Sequence, residues 1–163
     1  MDFTVSESIN ASFSQVVDAI QDPAYYQELG MLEGASVRPP ELLSASHDGS
    51  VVELKVRYAF AGEISGAAAM AVDADKLTWV IHTKLNVDER TASLDVVPDH
   101  YADLLTCEAS ASFHEDGGKT IESFSGELVV KVPLFGSSIE GAIVRGLEAH
   151  LDMEARALSA FCS

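Results

Sequence analysis

Apolar and polar residues alternate along most of this chain, and where they do not, the apolar positions fall three or four apart. "FTVSESI" puts Phe3, Val5 and Ile9 on one side and Thr4, Ser6 and Ser8 on the other, the period of a half-buried strand over residues 2–9. "SFSQVVDAIQDPAYYQELG" then changes to helical spacing. Ser12 and Gln15 form a capping-box signature, and Val16, Val17, Ala19 and Ile20 supply an apolar side. Pro23 disfavours helical geometry in the residue before it, so a first helix ends near Asp22 and a second starts at Pro23, stopping at Gly30.

"ASVRPPELLSASHDGSVVELKVRYAF" predicts two strands around an Asp48-Gly49 turn. In the second, Val52, Leu54, Val56, Tyr58 and Phe60 alternate with Glu53, Lys55 and Arg57, which gives the sheet one dry face and one wet face. Four later segments continue the pattern. They point Leu77, Trp79, Ile81 and Leu85 inward, then Ala92, Leu94 and Val96, then Leu105, Cys107, Ala109, Ala111 and Phe113, and last Phe124, Leu128, Val130 and Val132. Residues 61–74 lack a clear period and are read as a loop or a short helical turn.

After Pro133 and Gly136 the chain runs as one helix almost to its end. Ser137 and Glu140 make a second capping-box signature there, and Ile139, Ile143, Leu147, Leu151, Ala155 and Leu158 form its apolar stripe. Hairpins followed by a helix predict a single α+β domain over residues 1–163, with helices on one face of an antiparallel sheet. The final helix would measure roughly 34 Å against roughly 29 Å for seven strands side by side, long enough to cross the sheet. Ala92, Ala109, Ala111 and Gly126 are too small to fill the hollow beneath one rod, so a cavity is expected.

Composition narrows the function. With 10 Lys+Arg against 26 Asp+Glu the net charge is -16, which disfavours phosphate backbones and anionic lipid surfaces, so no nucleic-acid partner is expected. The first residues carry no basic stretch leading into an apolar run, and no apolar segment approaches the ~20 residues that span a bilayer. The sequence is therefore read as cytoplasmic, without membrane insertion. Cys107 and Cys162 are too far apart in character and position to suggest a disulfide framework, and oligomeric state is left open.

Catalytic and metal-binding patterns are weak. His47, His82, His100 and His114 read as loop or solvent-face residues; His150 pairs with Glu154 four residues on, without the H-E-x-x-H order of a zinc site. Asp73 and Asp75 lack the glycine and glutamate of a calcium loop, and the serines of "GSSIEG" are explained by helix capping. No metal, cofactor or catalytic residue is assigned. Cys107 reads as a small buried residue whose thiol would matter only if its pKa were depressed.

What remains is an apolar wall. Tyr58, Trp79, Phe113 and Phe124 on neighbouring strands, with Leu94 and with Ile143 and Leu147 from the helix, are the candidate ligand-binding residues. The Tyr58 hydroxyl and the Trp79 indole are the candidate orienting groups, and Glu127 is the carboxyl whose face is ambiguous.

The element order, "VVDAIQDPAYYQEL" after the first strand, and "VKVPLFG" before a long C-terminal helix resemble the START-like, or SRPBCC, superfamily, close to an uncharacterised bacterial branch. The resemblance spans essentially the whole chain and implies a helix-grip fold, a curved antiparallel sheet of about seven strands wrapped around the C-terminal helix. It implies a cavity used in the superfamily for lipids, sterols, polyketides, aromatic compounds or hormones. The expected function is thus binding or carriage of a hydrophobic small molecule rather than turnover. Alternatives are a polyketide cyclase- or aromatase-like enzyme and a protein-interaction module.

Overall fold

The hairpin order expected from the alternating segments is carried through in the computed structural model, which describes residues 1–34, 38–61, 66, 69–70 and 72–163. The chain runs β1 (Asp2–Ile9), α1 (Phe13–Ala19), α2 (Pro23–Met31), β2 (Glu41–Asp48), β3 (Val51–Ala59), β4 (Thr78–Asn86), β5 (Thr91–Pro98), β6 (Leu105–Asp116), β7 (Lys119–Val130) and α3 (Gly136–Phe161). Half of the span 61–74, namely 62–65, 67–68 and 71, lies outside the described residues; a 3-10 turn, Ala74–Lys76, begins at its last residue.

All seven strands join one antiparallel sheet in the order β1-β7-β6-β5-β4-β3-β2. Strands adjacent in sequence pair through short turns. Gly117 and Gly118, at φ of 59° and 81°, make the two-residue β6–β7 turn, a conformation that favours glycine at both positions. β1 and β2 nevertheless lie at opposite edges, so α1 and α2 carry the chain across the open side of the sheet.

The first helix begins as its capping box requires: the Gln15 N–H donates to Ser12 Oγ at 3.3 Å, and the Ser12 N–H donates to Gln15 Oε1 at 3.0 Å. α2 starts with Asp22 accepting from the Ala24 N–H at 2.9 Å ahead of Pro23. Gly30 does not end α2, which runs on to Met31. Its role is spatial, because a Cβ there would come within 2.1 Å of Pro39 Cα.

Two expectations for the last helix need correction. Ser137 caps nothing; α3 opens at Phe135 without a side-chain cap. Glu140 instead accepts the Val130 N–H at 2.9 Å and pairs with the Met1 amino group at 3.6 Å, tying α3 to β7 and β1. The apolar stripe also turns. A step of four residues overshoots a turn by roughly 40°, so four such steps from Ile139 leave one face altogether. Leu151, Ala155 and Leu158 are buried, Val144 joins them in part, and Ile143 is 37% exposed. α3 packs closest to β1, β7 and α2, leaving its other flank facing the inner sides of β3 to β6.

Inward residues form rows across the sheet. One row runs Val52, Leu85, Ala92, Ala111, Phe124 and Val5; the next runs Leu54, Thr83, Leu94, Ala109, Gly126 and Phe3. The Phe3 ring covers Gly126, where an added Cβ would lie 2.7 Å from it. That part of the hollow is filled, whereas the alanines of the first row leave room above them.

Candidate functional site

The room lies between the middle strands and the free flank of α3, as a partly enclosed cavity of about 130 Å³. Its floor comes from Leu54, Leu85, Ala92 and Ala111, and α1 and α2 close it with Val16, Ile20, Tyr25 and Tyr26. The volume is comparable to the roughly 150 Å³ apolar cavity that admits a benzene ring in a well-studied lysozyme variant. A single ring fits that space.

One wall is polar. The Tyr58 hydroxyl, from β3, donates to Glu154 Oε1 at 3.2 Å, and His150 Nε2 lies 3.3 Å from the same oxygen. The Tyr58 ring meets the His150 ring edge to face at 5.5 Å. Glu122 enters from β7, beside Phe124 on the inward face. Its carboxyl has no hydrogen-bond or ion-pair partner among the described residues. His150 Nδ1 is likewise buried without a partner among the described residues.

Burial and neighbours set the charges. Burial pushes the Glu122 carboxyl up to about 8, and the charges of Glu154 and Glu7 push in the same direction. Glu122 is therefore largely neutral at pH 7. For Glu154, burial raises the pKa, but the His150 charge and the hydrogen bonds from His150 and Tyr58 outweigh it, so the net shift is downward. For His150, burial pulls the pKa down, and Glu154 reverses this by charge and hydrogen bonding, so the net shift is upward. Both shifts favour the charged form of the pair, imidazolium against carboxylate, and a neutral acid lines the same cavity.

Of the residues expected to bind ligand, Tyr58, Leu94, Phe113, Phe124 and Leu147 line this cavity. Trp79 does not; it stands directly opposite Tyr58 across β3 and β4 and stacks on its ring at 6.0 Å. Ile143 does not either, having rotated toward solvent with the drift of the helical stripe. Glu127, the carboxyl singled out from the sequence, is exposed. The Cys107 thiol is raised by burial and then by Glu108, which leaves it a poorer nucleophile.

Glu122, Tyr25 and Tyr26 were not anticipated, and His150 and Glu154 were noted as a helical pair but not assigned to the site. Glu122 had a readable signal, since it precedes the inward Phe124 by two residues and must share its face. Glu154 had one too, standing three residues after Leu151 and four before Leu158 on an otherwise apolar side.

A family model described as a protein of unknown function, DUF2505, matches residues 4–162. No curated protein matches the chain. Among solved structures, the protein TTHA0849 from Thermus thermophilus is similar with a TM-score of 0.66 at 12% identity, over 99% of this chain and 97% of that one. A norcoclaurine synthase point mutant from Thalictrum flavum, in complex with a transition-state analogue, is similar with a TM-score of 0.61 at 16% identity, over 99% and 93%. The di-domain aromatase/cyclase StfQ of the steffimycin biosynthetic pathway is similar with a TM-score of 0.55 at 15% identity, over 98% of this chain and 45% of that one. At these identities the likeness is one of fold, a helix grip.

Proposed function

The chain belongs to the DUF2505 family, whose description gives no function, and from the cavity's geometry we propose that it binds a small apolar molecule, one ring in size, between the sheet and α3. The carrying observation is a cavity of about 130 Å³ with an apolar floor and a polar wall at one side. Apolar area removed from water supplies affinity at roughly 25 cal/mol per Å², and the few polar groups orient the ligand. The fold is shared with a norcoclaurine synthase in complex with a transition-state analogue and with an aromatase/cyclase, which supports a small-molecule reading. The cavity's size favours a monocyclic ligand over the lipid or polyketide also considered.

Thermal shift and native mass spectrometry with monocyclic compounds such as phenol, aniline and toluene test this reading. One compound bound per chain is expected, with long-chain lipids excluded. Ala92→Phe, which puts a ring into the cavity from the floor, should abolish the shift while leaving the fold intact. If no ring compound binds, or if Ala92→Phe binds as well as the parent, the proposal is wrong.

A second reading, acid–base turnover of the bound molecule, is favoured by one observation: a neutral acid and an imidazolium–carboxylate pair open onto the same small space. Exchange of ligand C–H for deuterium, catalysed by the parent and lost in Glu122→Gln, is its signature. Absence of any exchange leaves binding alone.

A further inference from the structure

Hydrogen-bond accounting along the polar wall shows which kind of ligand completes it. Glu154 Oε1 takes the Tyr58 hydroxyl and faces His150 Nε2, while Glu154 Oε2 has no partner among the described residues. Neither oxygen of Glu122 has one. Tyr58 has already spent its donor on Glu154. One donor is also unused, the buried Nδ1 of His150; against it stand both Glu122 oxygens and Glu154 Oε2, so once Glu122 has given up its proton the unused capacity of the wall is mainly for accepting.

Charge points the same way. Two carboxyls but only one cationic side chain, His150, line the cavity, and no Lys or Arg does so among the described residues. The chain around them carries a net charge of -16, so its long-range field draws cations toward the cleft and repels anions. A carbonyl ligand would use the acid proton of Glu122 and leave the remaining acceptors empty. An ammonium brings three donors and a positive charge, and satisfies both carboxyls at once.

We propose that the ligand is cationic: a protonated amine carried on a single ring, its ring on the Ala92–Ala111 floor and its ammonium between Glu122 and Glu154. This deepens the binding reading and rests on it. Binding is coupled to a proton. Glu122 is held neutral in the empty cavity, and on arrival of the ammonium it gives its proton to solvent and becomes the counter-ion. The groups facing it are Glu7 from β1, Glu154 and His150 from α3, Tyr58 from β3 and Tyr25 from α2, with Asp152 behind Glu7. All except His150 are acidic, and none can replace Glu122 as a neutral group that ionises on binding near neutral pH.

Isothermal titration of the full chain with benzylamine, benzyl alcohol and benzoate, in two buffers of different ionisation enthalpy, tests the inference. Benzylamine should bind at least tenfold tighter than benzyl alcohol, with benzoate weakest, and should release close to one proton at pH 7. Its affinity should rise about tenfold per pH unit below the Glu122 value and level off above about 8. Glu122→Gln should bring benzylamine and benzyl alcohol within about threefold and abolish proton release, while ring binding persists. Equal affinity for amine and alcohol in the parent, or proton release surviving in Glu122→Gln, overturns the cation assignment and leaves the cavity reading standing. Failure of all three compounds overturns both.

Discussion

Glu122 is the residue at which stability and site chemistry conflict. Its folded pKa, about 8, stands above the ordinary 4.5, so the folded state holds a proton that the unfolded chain releases between those values. Stability from this group is therefore greatest below about pH 4.5 and falls as pH rises toward 8, by an amount on the order of a few kcal/mol. Glu122→Gln should remove that decline. Thermal melts should show the variant close to the parent near pH 5 and clearly more stable near pH 8.5; a constant difference across pH would contradict the assignment. Glu154 behaves oppositely to it, and His150 in the same sense. The carboxylate is lowered, so its contribution is present above the ordinary carboxylate value and lost on acidification through the folded one; the imidazolium is raised, so its contribution is full below the ordinary histidine value and lost as pH rises through the folded one. Glu154→Gln strands a buried imidazolium and should cost roughly 3 kcal/mol between those limits. Denaturant unfolding at pH 6 against pH 9 checks it, with the larger loss expected at pH 6.

The elements decide where the cavity sits. α1 and α2 bridge the two sheet edges, and α2 can pass Pro39 only because position 30 has no side chain. Gly30→Ala should cost about 1–3 kcal/mol through overpacking. A lowered denaturation midpoint without a change in slope would report it; an unchanged midpoint would mean the contact relaxes freely. Much of this level was legible beforehand. Alternation marked β3 to β7 and their inward residues, and Ser12, Gln15 and Pro23 marked the helix starts by local hydrogen bonding and φ restriction alone. The start of α3 was not legible, because Glu140 had two possible uses and the longer-range one, to Val130 and Met1, won. Ile143 failed for a geometric reason: repeated steps of four outrun the helical period, and only packing decides which residues keep the face.

At the scale of the whole molecule the net charge of -16 acts as self-repulsion in the folded state. Raising salt from a few millimolar to about 0.15 M shortens the Debye length to about 8 Å and should raise the melting temperature. The same screening should weaken capture of a cationic ring compound, so stability and amine affinity move in opposite directions with salt. Neutral ring compounds should show no such loss. Parallel melts and titrations over a salt series distinguish the two effects, and a shared direction would speak against charge as the common cause. Elsewhere on the molecule, Leu134 and Met70 are almost fully exposed, but among the described residues they lie outside the cavity wall.

By itself the amino-acid sequence determined the order of strands and helices and the apolar faces of β3 to β7, because those follow from periods of two and 3.6 and from local capping; the helix-grip architecture came from its resemblance to a known superfamily. It also placed Tyr58, Leu94, Phe113, Phe124 and Leu147 on surfaces that meet the cavity. Only the tertiary structure decided how large that space is and which charges share it. Tyr58, Glu122, His150 and Glu154 come from β3, β7 and α3, so their distances, and the pKa shifts those distances create, exist only once the sheet has curved and the helix has docked on one side of it.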